Sequence, residues 1–164
     1  MPIQTLQDLF VHELSDINSA EKQLTKALPR MARAAESPEL QAAFELHLEE
    51  TQGQLERIEQ VVEATGIKLK RIKCAAMEGL VEEAKEIIDE IPKGPVRDVA
   101  LVAAAQRVEH YEIAGYGTLV ALAKTLGHED AAAILHETLE EEKATDLKLT
   151  GLAKQGGNQR ALEK

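Results

Sequence analysis

Apolar positions recur along this chain at helical spacing, and carboxylates interrupt them where a core needs hydrocarbon. Near the start the stripe reads Phe10, Leu14, Ile17, Glu21, Leu24, Leu28, Met31. Near the other end it reads Leu135, Leu139, Glu142, Asp146, Leu149, Ala153. Steps of three and four residues mark one face of an α-helix. A carboxylate on such a face costs several kcal/mol unless something positive offsets it. Since a small domain is stable by only about 5–15 kcal/mol in total, acids on the core stripes of several helices ask for a shared cation. A dinuclear metal site inside a helical bundle answers that need.

Helix breakers divide the chain into four long helices and a short one. The first helix is expected from about Thr5 to Ala35. Ser37 reads as an N-cap with Pro38 in the first helical position, so a second helix starts there and ends at Gly66. Pro92, Gly94 and Pro95 precede a third long helix that ends at Gly127, and a fourth runs from about His128 to Lys154. Gly156 and Gly157 stop it, leaving Asn158–Lys164 as a frayed tail. Two of the connections are short and predict antiparallel hairpins. The stretch from residue 66 to residue 95 is different. It carries Met77, Leu80, Val81, Ala84, Ile87, Ile88 and Ile91 at helical spacing and is long enough to return along the whole bundle. One long crossover between the second and third helices is the ferritin-like arrangement. The expected fold is therefore all-α, a ferritin-like four-helix bundle over residues 1–164, whose crossover holds a fifth, short helix. The alternative is a fifth helix that only caps the bundle or a partner.

Composition narrows the functional classes. The 164 residues are 44% hydrophobic and 29% charged, with two Tyr, two Phe and no Trp, and the net charge is −10. That balance argues against a nucleic-acid backbone as partner, which needs clustered Lys and Arg; the short cluster Lys68, Lys70, Arg71, Lys73 reads as a solvated loop or helix start. The lone Cys74 suits a reducing cytoplasm. No signal peptide and no membrane-spanning run is legible.

Inward polar groups fall near the middle of all four long helices. On the second helix, Thr51 lies at the centre of the apolar stripe, His47 and Gln54 just off it, Glu50 at its edge, and Glu49 on the solvent side. On the third, Gln106 is central, Glu109 and His110 flank it, and Glu112 sits at the margin. Aligning Glu50–Leu55 with Glu142–Leu147 matches one i, i+4 polar pair with another, Glu50/Gln54 with Glu142/Asp146. The candidate metal ligands are therefore Glu21, His47, Glu50, Glu109, His110, Glu112, Glu142 and Asp146. Gln54 and Gln106 read as partners that orient ligands, Tyr111 and Tyr116 as packing residues that could face the site. Glu140, Glu141 and the group Glu82, Glu83, Glu86 read as solvated charge, and His12, His128 and His136 as surface residues.

Four strings carry a family resemblance: Leu14–Leu24 (Leu-Ser-Asp…Ser-Ala-Glu-Lys-Gln-Leu), His47–Thr51 (His-Leu-Glu-Glu-Thr), Val108–Leu119 (Val-Glu-His-Tyr-Glu-Ile-Ala-Gly-Tyr-Gly-Thr-Leu) and Glu140–Asp146 (Glu-Glu-Glu-Lys-Ala-Thr-Asp). Through them nearly the whole chain resembles the YciE/YciF family of bacterial stress-induced, ferritin-like proteins, related to rubrerythrin. The resemblance implies a four-helix bundle with an additional helix at a homodimer interface. The sequence departs from the ferritin-like pattern, because no His here has a Glu three residues before it. A carboxylate- and amide-rich shell is harder than one rich in imidazole and suits Mn(II) comparably with Fe(II). The leading expectation is a dinuclear iron or manganese protein of stress protection, consuming peroxide or oxygen or sequestering iron. The competing one is a homodimeric structural or interaction protein that keeps the bundle without a working metal site. A hydrolase or transferase finds no nucleophile elbow, phosphate loop or Cys–His pair.

Overall fold

The computed structural model describes residues 2–163, and every regular element among them is helical. α1 spans Leu6–Ala34. Its first turn is closed reciprocally, Thr5 Oγ1 accepting from Asp8 N while an Asp8 carboxylate oxygen accepts from Thr5 N. α2 spans Pro38–Thr65, with Ser37 as N-cap and Gly66 in the left-handed conformation (φ 69°) at its end. α3 spans Ala75–Glu90, α4 Pro95–Thr125 and α5 Glu129–Leu152.

The long connection is a crossover. Asp98, in the first turn of α4, accepts from Glu36 N at 2.8 Å and Ser37 N at 2.9 Å. α4 therefore begins where α1 ends, whereas α2 ends at the other end of the bundle, where Lys70 N donates to Ser15 Oγ. The segment between them must travel the bundle's length, and α3 does so along the outer seam of α1 and α4. α1 pairs with α2 and α4 with α5, and α2–α5 and α1–α4 contacts close the ring. This is the ferritin-like four-helix bundle that the breakers and the apolar spacing of the crossover predict. Met77 and Ala84 of α3 are buried on the bundle, while Leu80, Val81, Ile87 and Ile88 are half-buried.

The tail corrects one expectation. Gly156 (φ 133°) and Gly157 kink α5 through a π-turn, and the chain then resumes as α6, Asn158–Leu162, against α4. A Cβ at Gly157 would lie 2.9 Å from Leu152 O, so the glycine permits the close turn.

Candidate metal centre

The core is hydrocarbon along most of its length, from Phe10, Leu14, Phe44 and Leu101 at various heights to Leu119, Leu135 and Leu149. Midway, five polar side chains from four helices replace it. Glu21 of α1, His47 of α2, Glu109 and Glu112 of α4 and Glu142 of α5 are each no more than 2% exposed. They form two overlapping groups: ligand atoms of His47, Glu109 and Glu142 lie within 4.8 Å of one another, and so do those of Glu21, Glu112 and Glu142. Glu142 belongs to both.

None of the eight carboxylate oxygens of these glutamates makes a hydrogen bond. His47 Nε2 and Glu109 Oε1 are 2.7 Å apart but out of line for donation. Apart from Gln54 Oε1 and the hydroxyl of Tyr116, these are the buried side-chain atoms left without a partner among the described residues. Native interiors carry only a few such atoms per hundred residues. Their concentration at one point asks for a missing partner with several acceptor-seeking positions.

Without a cation, protons supply the compensation. Burial pushes the Glu21 carboxyl up to about 8, with the Glu142 charge adding to the rise and Glu112 and His47 opposing it. Glu109 is pushed up to about 8 as well, by burial and then by the charges of Glu21, Glu50 and Asp146 against the opposing contact with Glu142. Glu112 and Glu142 are also held well above the ordinary carboxyl range, again by burial first and by neighbouring carboxylates second. Tyr116, fully buried on the α4 turn after Glu112, is raised by burial and by the charges of Glu21, Glu112 and Glu142.

Of the eight candidate ligands, the fold brings these five together and places three outside. Asp146 is 20% exposed and pairs with His110 Nε2 at 3.2 Å; His110 itself is 69% exposed. Glu50 is half-buried and accepts from Thr145 Oγ1 at 3.0 Å, while Glu49 is in solvent. The physical reason is rotation: a step of four residues turns the helix about 40° past its starting face and carries the side chain one turn along the axis. Asp146 thereby leaves the centre that Glu142 occupies. Glu109 and Glu112, three apart, straddle the inward direction and both reach it.

The neighbouring polar residues have other partners than the spacing suggests. Gln106 Nε2 donates to Thr150 Oγ1 at 2.7 Å and Gln54 Nε2 to Glu141 Oε1 at 3.2 Å, neither to a cluster carboxylate. Glu141 is not free solvated charge but is held bidentately by Arg57, at 2.7 and 2.9 Å, which ties α2 to α5. Tyr111 lies away from the cluster, its hydroxyl donating to Asp16 and touching Cys74 Sγ at 3.1 Å. Of the two tyrosines that could face the site, Tyr116 is the one beside the cluster.

The donor set fits two hard divalent ions. Around one octahedral ion with bonds of about 2.1 Å, ligand atoms stand about 3.0 Å apart when adjacent and about 4.2 Å when opposite, which is compatible with donors that lie within 4.8 Å of one another. Four ionised glutamates carry four negative charges, which two divalent cations neutralise. Oxygen donors with a single imidazole favour iron or manganese over softer metals.

Comparison with known proteins agrees with the fold. The family DUF892, a domain of unknown function, matches residues 5–162. Protein YciF of Escherichia coli (strain K12) is 59% identical over 165 residues, covering 100% of this chain and 99% of that protein. The crystal structure of that stress protein superposes with a TM-score of 0.93 over 96% of this chain and 99% of its own. YcfI of Rhodopseudomonas palustris, described as a candidate structural protein, is 50% identical with a TM-score of 0.87, covering 90% of this chain and 94% of its own.

Proposed function

The chain belongs to the YciF-like DUF892 family, and from its buried donors we propose that it is a dinuclear iron or manganese protein of the bacterial stress response. The observation that carries this reading is the sharing of Glu142 between two groups of potential ligands whose buried carboxylate oxygens make no hydrogen bond. His47 and Glu109 would hold one ion, Glu21 and Glu112 the other, and the Glu142 carboxylate would bridge them. Bound there, the ions would supply one-electron redox change and coordination positions for a small oxidant. The protein's own part is positional. Four helices hold the five donors in a water-poor interior, and Leu24 and Leu135 continue the hydrocarbon along the same helices. Tyr116 sets a phenol next to Glu21 and Glu112, where it can donate a hydrogen bond to a carboxylate oxygen not engaged by metal. The identity to a stress protein supports the physiological setting. The single cysteine and the lack of a helix long and apolar enough to cross a membrane, among the described residues, support a cytoplasmic place for it. Half-buried Leu80, Val81, Ile87 and Ile88 support a homodimer in which α3 meets a second subunit.

A second reading keeps the bundle and dispenses with metal. It is favoured by the raised carboxyls, since neutral acids can share protons in pairs, and by the description of YcfI as a candidate structural protein. Elemental analysis of protein purified without chelator separates the two. The metal reading expects about two ions of iron or manganese per chain, and a Glu142→Gln variant that loses both; the structural reading expects neither chain to hold any.

A further inference from the structure

The five cluster donors are buried to 2% or less, so a hydrated ion needs a passage to reach them. The seam between α2 and α5 contains a cavity of about 230 Å³, lined in part by Phe44, Leu46, His47, Glu50, Thr145 and Lys148. His47 belongs to the cavity and to the cluster at once, with Nε2 2.7 Å from Glu109 on the inner side. Glu50 follows it by three residues on α2, so both project from neighbouring positions of one face. Its Oε2 is fixed by Thr145 Oγ1 at 3.0 Å, and among the described residues it has no Lys, Arg or His partner. Its charge is felt at Glu109, inside the bundle. On the other faces, α3 covers the α1–α4 seam, Gln106 bonds to Thr150 and His110 pairs with Asp146 between α4 and α5, and a cavity of about 590 Å³ between α1 and α2 is lined by none of the cluster donors.

We propose that the α2–α5 cavity is the entrance by which a divalent cation reaches the cluster, with Glu50 as the first carboxylate to receive it and Lys148 as the opposing charge at the mouth. This rests on the metal reading and gives Glu50 a role distinct from that of a cluster ligand. Glu50 would offer an incoming ion the oxygen that Thr145 does not engage, and His47, which lines both the cavity and the cluster, would be the next donor inward. Lys148 lines the same mouth, so its ammonium lowers the local cation concentration that Glu50 raises.

Stopped-flow uptake of Co(II), followed by its visible absorption, tests this on the full chain. At low ionic strength Glu50→Gln should slow association about tenfold and Lys148→Glu should accelerate it, with both effects shrinking as salt is added. Both variants should reach the parent's final Co(II) stoichiometry and keep the metal-free melting temperature. Opposite signs from two charge changes at one mouth are not a consequence of general damage to the fold. Unchanged rates in both variants, or shifts in the same direction, overturn the entrance while leaving the metal reading intact. A lower final stoichiometry in Glu50→Gln makes Glu50 a ligand and overturns the proposal equally. A parent chain that takes up no Co(II) overturns the metal reading, and the entrance with it.

Discussion

Glu142→Gln should separate the metal-loaded from the metal-free protein by opposite responses to one substitution. The amide keeps the volume of the side chain, so hydrocarbon packing around it is preserved. In the metal-free chain Glu142 is a fully buried carboxyl whose ionised form is opposed by burial and by Glu109. Its replacement by a neutral group should leave stability unchanged or raise it, as happens when buried charge is exchanged for neutral side chains of similar volume. In the loaded chain the same carboxylate would be shared by two ions. A ligand present at a hundred times its Kd stabilises the native state by about 2.7 kcal/mol, so two ions contribute about 5 kcal/mol. For a chain of this size that is a melting-temperature rise of about 10–20 °C. Calorimetric scans of parent and variant, each after dialysis against chelator and after anaerobic addition of Fe(II) or Mn(II), measure all four states. The parent should gain that rise on loading and the variant should lose most of it. A variant more stable than the parent under metal-replete conditions, or one with an undiminished rise, would mean that Glu142 is not a metal ligand.

The metal-free protein should lose stability as pH rises. Below the ordinary carboxyl value of about 4.3, Glu21 and Glu109 are protonated whether folded or not and contribute nothing; above it the unfolded chain releases protons that the native state retains, so stability falls as pH rises. The urea midpoint of chelated protein should therefore fall from pH 5 to about 8, where both carboxyls titrate in the native state, and the metal-loaded protein should change less; a midpoint that climbs over this range in chelated protein contradicts the burial argument. Asp146→Asn and His110→Ala, which break a pair exposed on its His110 side, should leave metal stoichiometry unaltered and stability within about 1 kcal/mol; loss of an ion by elemental analysis would move Asp146 into the centre. Ile87→Asp with Ile88→Asp should give monomers in sedimentation velocity if α3 lies in a dimer interface; an intact dimer places the interface elsewhere.

Helix boundaries were legible because the residues that set them act locally. Thr5 with Asp8, Ser37 with Pro38, and Gly66 each satisfy or terminate a helix end by geometry that a few neighbouring residues determine. Glu21 and Glu142 were legible for a similar reason, since flanking leucines on the same stripe fix the direction of the acid between them. The i, i+4 partners were not, because burial at the edge of a stripe depends on what the facing helix brings there: Thr145 meets Glu50, and His110 meets Asp146. No local signal marks the clamp of Arg57 on Glu141, a pair 84 residues apart, or the packing of Tyr116 against glutamates of other helices. The C-terminal glycines show the limit of reading breakers singly. They kink the helix, and contact with α4 then favours another turn over fraying.

On the proposed function, Glu142 would bridge two ions held by five side chains. Crystals of protein loaded with Mn(II) or Fe(II), measured on either side of the metal absorption edge, test it most directly. Two anomalous peaks about 3.5–4 Å apart should flank the Glu142 carboxylate, one beside His47 and Glu109, the other beside Glu21 and Glu112. Loaded crystals with no peak in the bundle, or with peaks confined to surface acids such as Asp146, would contradict it.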